Sequence, residues 1–294
     1  MKNIKYISDY KNSTINISSS VLPYVLQNFE GLRGLEADLD IYQAMSQDIS
    51  ALRSVNIRER AITLKAAIVY NNDRERDQLR KKVFETFHIK RKGRIEITTR
   101  ANMFYELENV YVLDAPTFDE NLNRTGMDFF SVNLISLNPY FLSPEKKISL
   151  QNKTGNFKFT WEILENGVSL AEIDSKALKN CYNGGAVETP LKMIIRSRGT
   201  LENPFIYNIT TNEAIRINKT LNQGEEIIIT TNQGNKRIEH IDTTGTKTNI
   251  FNLIDLQSTF FSLVEGDNQI KYGADGNVEN MTVDLYYRER SLGI

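Results

Sequence analysis

From residue 145 onward the chain is broken at short intervals by turns built on glycine and asparagine. They read Asn166-Gly167, Asn183-Gly184-Gly185, Asn222-Gln223-Gly224, Asn232-Gln233-Gly234, Gly266-Asp267-Asn268 and Asp275-Gly276-Asn277. Glycine enters the left-handed backbone region without steric cost, and Asn or Asp bonds its own backbone, so each of these reverses the chain. The runs between them, 191–196, 205–210, 225–231, 236–240, 268–272 and 281–287, are rich in β-branched and aromatic residues. They carry no strong helical stripe. Many short strands at this spacing predict an antiparallel β-sandwich.

The first half reads differently. Ile15, Ile17, Val21 and Leu22 suggest short strands, followed by the glycine-punctuated stretch 31–35. Residues 60–70, RAITLKAAIVY, form a long β-branched run that predicts a strand. Asn71-Asn72-Asp73 then offer side-chain oxygens that cap the orphan N–H groups of a helix start. The helix is expected over about 73–88, with Leu79, Val83, Phe84 and Phe87 as its apolar stripe and Asp77 and Lys81 as a favourable i,i+4 pair. His88 closes it, where a partial positive charge suits the negative pole. Segments 94–99, 104–114 and 127–137 alternate as strands. Residues 41–52 stay open: Ile41, Met45, Ile49 and Leu52 recur at helical spacing, which favours a helix, against an irregular loop or arm between strands. Pro139 and Pro144 disfavour helix and mark a boundary, giving a first domain 1–142 and a second 143–294.

Chemistry is sparse. The 294 residues hold 36 Lys and Arg against 37 Asp and Glu, a formal charge of −1, which argues against gripping nucleic acid over the whole surface. Fourteen Phe and 13 Tyr exclude a disordered chain. Cys181 stands alone, so there is no disulfide framework and no visible activation of a nucleophilic thiol; His88 and His240 are the only histidines. Phosphate-binding, zinc-protease, CxxC and GxSxG motifs are absent. The N-terminal stretch has no signal-peptide core, and no run approaches the length that spans a membrane, so synthesis in a cytosol is expected. The acidic pairs Asp38/Asp40 and Asp267/Asp275 lack calcium-loop register and read as turn chemistry. One basic concentration, Arg74, Arg76, Arg80, Lys81, Lys82, Lys90, Arg91 and Lys92, is interleaved with acids. It reads as a solvated helix face, or more sharply as a face contacting a neighbouring subunit. Trp161 alternates with Phe157 and Phe159, which reads as core; an exposed aromatic here could instead stack on a sugar.

Taken in order, four motifs carry a resemblance: Arg60-Ala61-Ile62-Thr63-Leu64, Asn138-Pro139-Tyr140-Phe141, Gly266-Asp267-Asn268-Gln269-Ile270 and the closing Tyr287-Arg288-Glu289-Arg290-Ser291-Leu292-Gly293-Ile294. Over nearly its whole length the chain resembles the distal tail protein (Dit) family of long-tailed phages with non-contractile tails. The resemblance implies a mainly β fold with one clear helix: a β-rich, ring-forming N-terminal domain and a C-terminal galectin-like antiparallel β-sandwich. It implies a structural virion protein at the tail tip, with no catalytic residues, cofactor or metal. Copies would close a hexameric ring joining the tail tube protein to tail-tip and receptor-binding proteins, around a passage for DNA. The expected subunit surface takes in Ile41, Met45, Arg60, Ile62, Leu64, Arg76 and Arg80. Family members carry a loop or arm around 40–55, which weighs against the helix there. The alternative is a carbohydrate-binding module contacting cell-wall saccharide through Trp161, Tyr182 and Tyr207; a hydrolase would need clustered carboxylates, and none stand out.

Overall fold

The computed structural model describes residues 3–43, 49–119, 126–150, 152–154, 172–174 and 178–294. The chain divides into two compact units, residues 1–144 together with 290–294, and residues 145–289.

The first unit holds β1 (Asn3–Ser8), β2 (Thr14–Ser18), β3 (Tyr24–Glu30), β4 (Ala37–Tyr42), β5 (Ala51–Ile57), β6 (Arg60–Val69), α1 (Asp73–Thr86), β7 (Lys92–Thr98), β8 (Phe104–Val112), β9 (Thr117–Phe118), β10 (Met127–Ser136) and β11 (Phe141–Leu142). Hydrogen-bonded neighbours run β8-β7-β1-β2-β3-β6-β10, and β10 pairs again with β8 through Leu134↔Val112 and Ser136↔Val110. Seven strands thus close into a barrel, which removes the open edges of a flat sheet. The β6–β10 pair is the longest, from Arg60↔Ser136 to Val69↔Met127. Strict alternation points Ile62, Leu64, Phe130, Val132 and Leu134 inward with Ile4, Ile17 and Ile95.

Local physics explains α1. Asn72 Oδ1 accepts from the Glu75 amide at 2.9 Å, and the Glu75 carboxylate reaches back to the Asn71 amide at 2.9 Å. Val83 and Phe87 are buried, and Phe87 stacks on Tyr6 with ring centroids 4.5 Å apart. Leu79 packs at the margin of the core, while Phe84 turns outward. Asp77 pairs with Arg76, and Lys81 with Glu85, in place of the expected Asp77–Lys81 pair.

The helix expected over 41–52 is corrected where its residues are described, at 41–43 and 49–52. Ile41 lies in β4 and Leu52 in β5, and the two strands form an antiparallel hairpin from Ala37↔Ile57 to Tyr42↔Ala51. The competing arm reading holds; the helical spacing is a coincidence of a short run.

The second unit holds β12 (Lys146–Ser149), β13 (Asn152–Thr154), β14 (Glu172–Asp174), β15 (Lys179–Asn183), β16 (Leu191–Ser197), β17 (Leu201–Glu202), β18 (Phe205–Asn208), β19 (Glu213–Arg216), β20 (Thr220–Leu221), β21 (Glu226–Thr230), β22 (Arg237–Ile241), β23 (Lys247–Asn249), β24 (Gly266–Gly273) and β25 (Met281–Tyr287). A six-stranded sheet, β12-β25-β16-β21-β22-β23, faces a four-stranded one, β15-β24-β18-β19. Met193, Ile195, Ile227 and Leu285 from the first meet Ile206, Ile215, Ile270 and Tyr272 from the second in one core. This is the antiparallel sandwich expected. Gly224, Gly234 and Gly266 adopt positive φ at the turns predicted for them. Trp161, Phe157 and Phe159 lie outside the described residues, as does Met45. The chain then re-enters the first unit as β26 (Arg290–Ser291), which pairs with β11, so residues 290–294 pack with the barrel rather than the sandwich.

No helix among the described residues is long and apolar enough to cross a membrane.

Candidate assembly surface

The β4–β5 hairpin is an arm: every residue of both strands is exposed. Directly opposed residues of an antiparallel pair share a face. One face therefore collects Ala37, Leu39 and Ile41 from β4 with Leu52, Val55 and Ile57 from β5, and these five larger side chains are 37–58% exposed. Arg53 is the extra residue where the register shifts. The other face carries Asp38, Asp40 and Tyr42 from β4 with Ala51, Ser54 and Asn56 from β5. Its charges are paired along the arm. Arg58 reaches Asp38 at 2.7 Å and Glu36 at 3.6 Å, and Arg53 lies 3.9 Å from Asp40. The Arg58 hydrogen bond holds the Asp38 carboxyl below its ordinary value. The arm thus has one largely polar face and one apolar face exposed to solvent.

The candidate residues at the arm's base turn out otherwise. Arg60, Ile62 and Leu64 are at most 2% exposed and point into their own barrel, so none can be offered to a neighbour. That corrects their assignment to a subunit surface. The Arg60 guanidinium donates Nη1 to the Gly31 carbonyl at 2.5 Å, Nε to Pro139 at 2.7 Å and Nη2 to Leu292 at 2.6 Å, and lies 4.3 Å over the Phe141 ring. Burial lowers its pKa to about 10, leaving it charged at neutral pH.

Arg76 and Arg80 sit on α1. Arg76 pairs with Asp73 and Asp77 and lies over the Tyr70 ring. Arg80 reaches inward to the buried Asp128 at 2.5 Å, and Tyr70 donates to the same carboxylate at 3.2 Å. The outer helix face keeps exposed Phe84, 5.6 Å from Phe118, beside an open groove of about 510 Å³ lined by Asp77, Arg80, Lys81, Phe84, Glu85 and His88.

In the second unit, Tyr182 and Tyr207 lie on one face of the four-stranded sheet, opposite Asp267 and Lys271 of β24. That register separates them by about 15 Å, too far for one sugar ring. Tyr207 gives its hydroxyl to Asn212. The opposite, six-stranded sheet holds a polar groove of about 430 Å³. At its centre the Asp284 carboxylate accepts from Arg196 at 2.6 Å, from Lys147 at 2.9 Å and from the Ser149 hydroxyl. Arg196 also reaches Glu226 at 2.8 Å. Burial would raise the Asp284 pKa, but these bonds prevail and hold it below its ordinary value. Among the described residues no three His, Cys, Asp or Glu side chains gather in a metal-holding group. His240 is buried, 3.3 Å from Glu225, and burial pushes the Cys181 thiol up to about 12.

The sequence reading missed Leu39, Val55 and Ile57, whose period-2 alternation with Ile41 was there to be seen, and the Lys147–Arg196–Asp284 groove, whose members lie far apart in sequence.

The first unit is thus a closed barrel bearing an arm with one exposed apolar face, and the second a β-sandwich with a polar groove on its six-stranded sheet. Residues 184–290 match the family described as siphovirus-type tail component, C-terminal domain. Over its length the chain has the fold of the Dit protein (gp 19.1) of phage SPP1, at a TM-score of 0.65 and 10% identity, covering 98% of each chain. A chain of the phage P2 baseplate in its activated conformation with Ca matches at a TM-score of 0.56 and 13% identity, covering 100% of each. No curated protein sequence matches this chain.

Proposed function

We propose that copies of this chain close into a hexameric ring at the distal end of a phage tail. The ring joins the tail tube to tail-tip and receptor-binding proteins around a passage for DNA. The observation that carries this reading is the apolar face of the β4–β5 arm. A hairpin with one face apolar and half or more of most of its side chains open to solvent is an aggregation hazard unless a partner covers it. A ring supplies that cover at every junction, because a head-to-tail contact repeated by rotation closes on itself. The Phe84 groove on α1 is a second patch suited to such a contact. A net charge of −1 suits a conduit that must not hold its cargo. The SPP1 Dit structure is itself described as a hub of an adsorption apparatus. Negative-stain electron microscopy of the purified chain tests the reading: six-fold rings support it, and a monomer at high concentration overturns it.

The groove on the six-stranded sheet favours a second reading, saccharide contact by the sandwich. It balances Lys147, Arg196 and Arg198 against Glu225, Glu226 and Asp284. A fixed guanidinium–carboxylate pair can donate to one sugar hydroxyl and accept from its neighbour. Binding on a neutral-glycan array that Glu226→Gln abolishes supports it; no binding to any glycan refutes it.

A further inference from the structure

The arm has two roots, residues 31–36 leading out from β3 and 58–59 leading back into β6. Arg60 opens β6, and its guanidinium binds across to Gly31, at the start of the outgoing root. Gly31 has φ +96°, and a Cβ there would lie 2.4 Å from the Ala61 carbonyl oxygen, so only glycine lets this root sit hard against β6. The same guanidinium holds Pro139, before the chain enters the second unit, and Leu292, after it returns. The returning segment also grips the root directly. The Ile294 amide donates to the Leu32 carbonyl at 3.3 Å, and a Cβ on Gly293 would stand 3.1 Å from that oxygen. A buried cation that spends its donors on three neutral carbonyls is a costly way to fill a core, since an apolar side chain would do so without desolvating a charge. What the guanidinium adds is reach: three donors in one plane, aimed at three separate stretches of chain.

We propose that Arg60 is the positioning residue of the arm, fixing both roots of the β4–β5 hairpin, and that the fixation is complete only once segment 290–294 has docked. Leu292 follows Arg60 by 232 residues and is synthesised after the whole second unit. A chain whose second unit is unfinished therefore presents an arm whose fixation is incomplete, and ring closure is reserved for chains in which segment 290–294 has been made and has docked. This rests on the arm-mediated ring proposed above.

The test is hydrogen exchange of the full-length chain, read by peptide, alongside mass photometry, for wild type, Arg60→Met, Arg60→Lys and Gly293→Val. Of the three bonds that Arg60→Met removes, the one at the root is to Gly31, and losing it should speed exchange in peptides covering 31–36 and 51–59 about tenfold. For Arg60→Met this should occur with β7 and β8 unchanged and rings lost. Gly293→Val should do the same with Arg60 intact, and Arg60→Lys, which reaches fewer carbonyls, should fall between. Unchanged exchange at the roots in Arg60→Met overturns the proposal, as does a uniform rise across the barrel, which would make Arg60 a core prop only. Protected roots in Gly293→Val overturn the role of the returning segment. A monomeric wild type would refute the ring while the exchange comparison still decides whether Arg60 positions the arm.

Discussion

Leu39→Asp separates assembly from folding. Leu39 is 56% exposed at the middle of the arm's apolar face, opposite Val55. Fully burying a leucine is worth about 1.5–3 kcal/mol, so covering the exposed part of Leu39 contributes on the order of 1–1.5 kcal/mol to each junction. Aspartate removes that gain and forces an ionised carboxylate against an apolar partner, a further cost of several kcal/mol at least partly realised, for a total of about 3 kcal/mol. That corresponds to roughly a hundredfold weaker association per junction. Every junction of the ring carries the same defect, so closure should fail across the whole accessible range. The protomer loses little, because more than half of the side chain faces solvent there; its melting temperature should stay within about 2 °C of wild type. Mass photometry over a dilution series, paired with thermal melting, reads both quantities. Asn56→Ala, on the arm's solvated face, is the control and should assemble normally. If Leu39→Asp forms rings at the wild-type concentration, the apolar face is not the junction. If its melting temperature falls as a core substitution's would, the arm is packed within the protomer and the reasoning is wrong at its first step.

Arg80→Ala strands the Asp128 carboxylate, 1% exposed, beside the Tyr70 hydroxyl. Breaking a buried pair costs about 3–5 kcal/mol, reduced here to about 2–3 kcal/mol because Arg80 is partly exposed. Urea unfolding should show Arg80→Ala/Asp128→Ala less destabilised than the two single losses summed, and strict additivity would refute the pairing. The lowered Asp284 pKa means that this carboxylate contributes stability above the unfolded value of about 4, lost as pH falls through the lower folded value. Asp284→Asn should therefore be less stable than wild type at pH 7 and converge with it in acid; a gap independent of pH would refute the assignment. Cys181, its thiol held at about 12 by burial, should resist iodoacetamide in the native protein at pH 8 and react fully in denaturant; stoichiometric native labelling would contradict its burial.

What could be read from the sequence follows how far each determinant reaches along the chain. The α1 cap needs Asn72 and Glu75, three residues apart, and the sandwich turns need only Gly and its neighbours, so both were legible. The arm was harder, because its strands are exposed on both faces and no core disciplines their pattern; four apolar residues from Ile41 to Leu52 then fit a helix as well as a hairpin. Arg60 is more instructive. Its partners lie 29, 79 and 232 residues away, so no window of sequence contains them. Its side was nonetheless deducible. Residues 60, 62 and 64 share one face of a strand, and Ile62 and Leu64, flanked by the polar Thr63 and Lys65, belong inside. Parity then sends Arg60 inside with them, and an arginine sent into a core must find acceptors or destabilise the fold. Placing all three on a subunit surface kept the parity and mistook which side of the strand was covered. Followed through, the same parity argues that an arginine opening an otherwise core-facing strand gathers main-chain carbonyls from segments that must be held together, which is what Gly31, Pro139 and Leu292 are.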